Sequence, residues 1–137
     1  MRRSGGCVGA WLITETACST AEGTVVNEGP QTGLYVFTER HFSLMLIPGA
    51  EARPLFSESR TDQERLAAYD NFIADAGTYD VSGDVLTTDN MIAKVPNAMD
   101  GGFPHRYSLE EDSLVLSFEG GWAPPCDELT YSLRRLE

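Results

Sequence analysis

Residues 33–47 read GLYVFTERHFSLMLI, and this stretch predicts a β-hairpin. Two runs rich in aromatic and branched side chains, 33–38 and 42–47, are separated by only three residues. A gap of that length is typical of a hairpin connection, although this one lacks glycine. Apolar residues occupy both faces of the two strands. This indicates that one face packs on a core and the other on a covering element or a cavity.

Further short strands are predicted on both sides of this hairpin. One precedes it at residues 8–16, and the others follow at 78–81, 85–95, 106–109, 113–118 and 129–136. In the last two strands, apolar residues alternate with serine and threonine, as in a strand with one face on a core. So many strands would leave unpaired edges in an open sheet. We therefore predict a mostly β fold, a single up-and-down antiparallel barrel of about eight to nine strands.

One helical pattern interrupts the strands at about residues 61–76. Thr61 and Glu64 have the spacing of a capping box, in which each side chain accepts a hydrogen bond from the other residue's backbone amide. The apolar residues that follow recur every three or four positions: Leu66, Tyr69, Phe72, Ile73 and Ala76. Gly77 is placed to end the helix. We predict one amphipathic helix over 61–76 that packs on the barrel or closes one of its ends.

The length and charge of the chain limit its architecture and its partners. At 137 residues it fits one domain, which we place at 8–137 after a flexible N-terminus of residues 1–7. The 21 acidic and 10 basic residues give a formal charge of −11, which repels phosphate backbones and anionic lipids. No run approaches the ~18 apolar residues that a spanning helix needs. We therefore expect no nucleic acid binding and no membrane insertion.

The N-terminal residues bear on the compartment. Residues 1–6, MRRSGG, are basic but do not lead into an apolar stretch of signal-peptide length. We expect a soluble protein that is cytoplasmic as written, and secreted or periplasmic if a leader has been removed.

Cysteine and histidine are too scarce for the common metal sites. Cys7, Cys18 and Cys126 are irregularly spaced and form no CxxC pair, although one disulfide between two of them stays open. His41 and His105 are the only histidines, so this chain alone cannot build a three-histidine zinc site. We expect no metal and no cofactor.

A short motif near the N-terminus points to a family. Gly9-Ala10-Trp11 is similar to the GxW motif of the lipocalins, whose tryptophan packs across the barrel floor under an arginine from the last strand. Arg134 or Arg135 lies where that arginine is expected. Five further segments resemble, in order, the bacterial lipocalin-like domain proteins: 32–38, 40–45, 53–56, 76–81 and 93–97. The resemblance implies a lipocalin-like barrel and leaves function open, since the wider superfamily holds both carriers and enzymes.

Several residues are suited to the wall of a barrel cavity. The ligand-binding candidates are Tyr35, Phe37, Met45, Arg53, Tyr79, Lys94 and Tyr107. Tyrosine combines apolar area with a hydroxyl that can orient a ligand, and methionine is soft and adaptable. Arg53 and Lys94 are cations among apolar neighbours, so each should pair with a carboxylate, reach solvent or face a ligand anion. Core packing explains the apolar members equally well.

Histidine supplies the candidate for proton transfer. Histidine is the side-chain type best suited to proton transfer at neutral pH, so His41, at the start of a strand, is the catalytic candidate. The alternative is that His41 is a solvated residue of the turn. His105 follows Pro104 and a glycine-rich approach, and we interpret it as a loop residue. The chain lacks the GxSxG, HExxH, P-loop and dinucleotide fingerprints of common enzyme classes.

Three functions fit these observations. The first is binding of a small hydrophobic or aromatic metabolite in the barrel cavity. The second is a cofactor-independent cyclase, isomerase or hydratase that acts on a natural-product-like substrate inside the barrel. The third is a filled barrel that serves as an interaction module, with a homodimer among its expected assemblies.

Overall fold

A computed structural model of the chain consists of an antiparallel β-sheet with one short helix, within the described residues 6–29, 33–48, 51–99, 101–119 and 126–137. The strands are β1 (Gly9–Thr20), β2 (Gly23–Asn27), β3 (Gly33–Phe37), β4 (His41–Leu46), β5 (Ile73–Ser82), β6 (Val85–Ala93), β7 (Gly102–Glu110), β8 (Ser113–Glu119) and β9 (Glu128–Arg135). The helix α1 spans Asp62–Asp70, and a 3-10 turn spans Pro96–Met99. The predicted flexible N-terminus, residues 1–7, lies mostly outside the described residues.

Pairing of the first strand with the last closes the sheet into a barrel. From β3 to β9 each strand pairs with the next along the chain, and β1 pairs with β3 on one edge and β9 on the other. The second half of β1 also pairs with β2, which stands outside the ring of eight strands. The structure thus confirms the predicted up-and-down barrel.

Alternation along the strands directs the core into the barrel. In β4, Phe42, Leu44 and Leu46 are buried, whereas His41, Ser43 and Met45 between them are exposed. The same period of two buries one face of β8 and of β9. The buried face is aromatic and aliphatic, and the outer face is more polar.

Trp11 forms the closed end of the barrel, as the GxW motif implied. It is fully buried, and its indole nitrogen donates a hydrogen bond to the Cys7 carbonyl at 2.8 Å. Of the two candidate arginines it is Arg135 that covers the indole, with its guanidinium carbon 4.3 Å from the ring centroid. Arg135 also donates to the Val8 carbonyl at 2.9 Å and pairs with Asp112 at 3.2 Å. Contacts of a guanidinium with an indole face contribute about 0.5–2 kcal/mol.

The helix begins as predicted and ends earlier. The Thr61 hydroxyl accepts from the Glu64 amide at 3.2 Å, and the Glu64 carboxylate accepts from the Thr61 amide at 2.8 Å. Hydrogen bonds from Ser57 and Thr61 lower the pKa of Glu64 to about 2. The helix stops at Asp70, so the predicted end at residue 76 is wrong.

Strand pairing explains the early end of the helix. Residues 73–76 belong to β5 and pair with the second half of β4, which would otherwise be an unpaired edge. None of the helical residues is buried, and Leu66 is 64% exposed, so the predicted apolar packing face is wrong as well. No helix in the described part of the chain is long and apolar enough to cross a membrane.

A disulfide joins the first strand to the last. Cys18 near the end of β1 is bonded to Cys126 just before β9, with the two Cα atoms 5.4 Å apart. Cys7 is a free and buried thiol at the closed end. This resolves the pairing that the sequence left open.

Candidate functional site

A pocket of about 420 Å³ lies at one end of the barrel. Its rim is formed by the start of β5, the end of β6 with the 3-10 turn, the start of β7 and the end of β8. Because β9 runs antiparallel to β8, this is the opposite end from Arg135 and the Trp11 floor. Small-molecule sites usually have volumes of about 300–1,000 Å³. The pocket is therefore the candidate functional site.

Aromatic rings form the deep wall of this pocket. Tyr35 and Tyr131, each 2% exposed, have ring centroids 6.2 Å apart. Phe118 lies edge-on to Tyr131 at 5.7 Å, and Phe42 lies 6.4 Å from Tyr35. Such a wall offers large apolar area with few side-chain torsions to order on binding.

Asp75 brings a carboxyl group to the pocket. It is half-buried in β5, opposite the inward-facing Leu44 of β4. Burial raises the pKa of Asp75, and this outweighs the hydrogen bond from the Asn90 amide and the charge of Lys94, which lower it. The Asn90 amide also donates to the Ala98 carbonyl at 2.9 Å. Asn90 therefore connects the 3-10 turn at the rim to the carboxyl group.

His105 also faces the pocket. It lies in β7 opposite Leu86, is 6% exposed, and packs edge-on against Phe118 at 4.7 Å. One ring nitrogen is 2.9 Å from the Phe103 carbonyl. Burial lowers the pKa of His105 despite its backbone hydrogen bonds, which favours the neutral ring. The interpretation of His105 as a loop residue is wrong, because β7 includes both Pro104 and His105. A proline within a predicted strand usually argues against that strand, which explains the error.

Lys94 lies at the rim of the pocket, next to the helix. Its ammonium group contacts the Tyr69 carbonyl and lies 4.1 Å from the centroid of the Tyr69 ring. Burial is the main cause that lowers the pKa of Lys94. Of the seven predicted ligand-binding residues, Tyr35 and Lys94 line the barrel pocket.

Arg53 lies in a separate cleft between residues 53–56 and α1, which has a volume of about 370 Å³. Its guanidinium donates to the Ala68 carbonyl at 3.0 Å and lies 5.2 Å from the centroid of the Phe72 ring. These contacts attach the segment before the helix to the helix itself. The geometry thus gives Arg53 a place outside the barrel pocket.

Three more predicted residues belong to the core below the pocket. Phe37 and Tyr79 pack edge to face at 5.0 Å, and the Tyr79 hydroxyl donates to the Thr38 carbonyl at 2.7 Å. Tyr107 is partly buried and packs against the core. Core packing accounts for these contacts.

His41 and Met45 point away from the pocket. Both lie on the exposed face of β4, and Met45 is 56% exposed. Met45 pairs across the sheet with Leu34, which is also exposed. The roles predicted for them, a cavity-lining methionine and a catalytic histidine inside the barrel, do not fit these positions. The outward direction follows from the period of two, since their neighbours Phe42 and Leu44 fill the interior.

Asp75 makes the free energy of unfolding depend on pH. The folded state holds the Asp75 proton to a higher pH than the unfolded chain does, because burial raises its pKa. The free energy of unfolding therefore falls as the pH rises from the ordinary carboxyl range through the raised pKa. We expect Asp75→Asn to gain stability relative to the wild type between pH 3 and pH 7. Urea unfolding of both proteins at the two pH values measures this, and an unchanged difference would contradict it.

Metal ligands do not converge in the described ranges, where no group of three or more histidine, cysteine, aspartate or glutamate side chains could hold an ion. The inner polar groups of the pocket are the Asp75 carboxyl, the Asn90 amide, the His105 imidazole and two phenols, and Lys94, Asn97 and Glu119 add polar groups to the lining. Such groups can orient a ligand by hydrogen bonds or move a proton.

Comparisons with known proteins agree with this architecture. A lipocalin-like protein from Bacteroides uniformis has a crystal structure with a TM-score of 0.51 and 13% identity, covering 94% of this chain and 97% of that chain. An uncharacterized protein from Bacteroides eggerthii gives a TM-score of 0.52 and 11% identity, covering 93% and 98%. At these identities the similarity shows the fold alone. No curated protein matches the chain. Residues 8–123 match the lipocalin-like domain family, so the chain belongs to that family.

Proposed function

We propose that the barrel binds one small, largely aromatic or apolar molecule in the pocket at its open end. The supporting observation is the combination of a 420 Å³ space with an aromatic wall and a few converging polar groups. Aromatic area provides affinity and sparse polar groups provide orientation in small-molecule sites. An open space of this size favours ligand binding over the filled interaction module considered as an alternative.

The rim offers a position at which the pocket can be blocked. Ala98 is half-buried, lines the pocket and lies on the 3-10 turn. We expect the wild type to bind the neutral fluorophore N-phenyl-1-naphthylamine, and we expect Ala98→Trp to weaken this binding more than about tenfold by filling the space. Fluorescence titration gives both dissociation constants.

A matched tryptophan elsewhere controls for nonspecific effects. Ala21 is exposed in the turn between β1 and β2 and does not line the pocket. Ala21→Trp should therefore bind the fluorophore as the wild type does. Equal weakening by both substitutions, or no binding by the wild type, would count against the proposal.

The natural ligand can be identified if it co-purifies with the protein. Native mass spectrometry of protein from its own host, followed by denaturing extraction, should release a small molecule that fits the pocket. A protein that is empty in this assay and also binds no fluorophore would refute the carrier function.

A cofactor-independent isomerase or cyclase is the second candidate, and Asp75 rather than His41 favours it. A partly buried carboxyl with a raised pKa can take a proton from carbon next to a ligand carbonyl and return it. In deuterium oxide, the extracted compound should then gain deuterium or change structure with the wild type and stay unchanged with Asp75→Asn. No change with the wild type would leave binding as the function.

Of the two expected locations, the Cys18–Cys126 disulfide favours the secreted or periplasmic one over the cytoplasm. Disulfides persist in the periplasm and outside the cell, and they are rare in reducing compartments. Thiol labelling of denatured protein from its host should modify Cys7 alone. Labelling of all three cysteines would refute this assignment.

A further inference from the structure

The Tyr35 hydroxyl has no hydrogen-bond partner among the residues that the structure describes. The side chain is 2% exposed and lines the pocket. Every fully enclosed side-chain nitrogen or oxygen among the described residues has a hydrogen-bond partner. A hydroxyl without a partner, such as that of Tyr35, is therefore not fully enclosed. The hydroxyl therefore opens onto the pocket space rather than into the packed core.

Tyr79 shows what the same side chain does elsewhere in this barrel. It is buried to a similar degree, and its hydroxyl donates to the Thr38 carbonyl at 2.7 Å. Buried polar groups are hydrogen bonded in the great majority of cases, because a buried group without a partner has lost its hydrogen bonds to water and gained none in return. The Tyr35 hydroxyl makes no such bond to the described residues and borders the pocket, where a ligand could accept one.

The hydroxyl is set up to donate. Burial raises the pKa of Tyr35 well above its usual value, and the nearby charges of Tyr131 and Asp75 raise it further. The phenol thus keeps its proton at physiological pH. A phenol proton in an apolar setting pairs best with an acceptor oxygen that brings no charge of its own into the pocket.

We propose that the ligand carries a neutral acceptor oxygen, a ketone or amide carbonyl attached to an aromatic body, which accepts a hydrogen bond from the Tyr35 hydroxyl. The aromatic body lies against Tyr131 and Phe118, whose rings border the same space. This inference rests on the proposed binding function and adds the chemistry of the ligand's polar group.

Two nearly isosteric probes test it, 2-acetylnaphthalene and 2-ethylnaphthalene, each used to displace N-phenyl-1-naphthylamine. We expect Tyr35→Phe to weaken binding of the ketone about tenfold and to leave binding of the hydrocarbon unchanged. Tyr79→Phe is the matched control, because it removes a hydroxyl outside the pocket, and it should change neither dissociation constant. Circular dichroism verifies that each variant is folded.

Infrared spectroscopy gives a second readout that does not depend on affinity. The carbonyl stretch of bound, ¹³C-labelled 2-acetylnaphthalene should shift to lower frequency in the wild type and lose that shift in Tyr35→Phe.

The outcomes separate the two proposals. An equal effect of Tyr35→Phe on both probes, or displacement by the hydrocarbon alone, would overturn the carbonyl inference while the binding function stands. Failure of the fluorophore and of both probes to bind would refute the binding function itself.

Discussion

Replacement of Cys18 and Cys126 by serine should lower the free energy of unfolding by about 4 kcal/mol at 25 °C. The two cysteines are 108 residues apart in sequence, so the bond closes a loop that includes most of the chain. A cross-link restricts the unfolded state more strongly as the loop grows longer. Few other changes could remove as much of the total stability, which for a domain is about 5–15 kcal/mol.

Reduction offers an independent route to the same state. Urea unfolding of the wild type with dithiothreitol should give the midpoint of the double serine variant, and the reductant should leave that variant unaffected. Equal midpoints for the oxidised wild type and the variant would show that the bond does not stabilise the barrel.

The barrel was predictable because its signals are local. Alternation in β8 and β9 and the hairpin of β3 and β4 follow directly from the period of two along a strand. The Thr61 capping box is equally local and is present as expected. The end of the helix was not predictable in this way, because residues 73–76 carry a helical spacing and only the pairing partner in β4 makes them a strand.

Because the helix was predicted to continue to residue 76, the position of Asp75 in the pocket wall could not be predicted. With residues 73–76 assigned to a helix, nothing in the sequence places Asp75 on the inner face of the barrel. Once β5 is recognised, the pairing of Asp75 with Leu44 places it on the inner face. The alternation of β6 would likewise have turned Asn90 inward.

The structure reverses the predicted positions of the two histidines relative to the barrel interior. His41 begins a strand in the predicted hairpin, yet its register puts it outside, whereas His105 follows a proline and lies inside. Which face a strand turns to the interior depends on the register between strands, and one residue of shift reverses it. Side-chain chemistry therefore suggests which residues could act in a site, and the strand register decides which of them face the barrel interior.

Truncation of Trp11 to alanine should lower the free energy of unfolding by about 4 kcal/mol. The indole is fully buried, so its loss leaves a cavity at the closed end. It also removes the hydrogen bond to the Cys7 carbonyl and the surface on which Arg135 lies. Urea unfolding followed by circular dichroism gives the change.

A comparison with binding separates the two ends of the barrel. Trp11 lies at the opposite end from the pocket, so the folded fraction of Trp11→Ala should bind N-phenyl-1-naphthylamine with the affinity of the wild type. Arg135→Lys, which keeps the charge and loses the planar contact with the indole, should destabilise the protein by a smaller amount. A large loss of fluorophore affinity in folded Trp11→Ala would show that the floor helps to shape the pocket. Unchanged affinity with reduced stability would assign the floor to folding and the open end to the ligand.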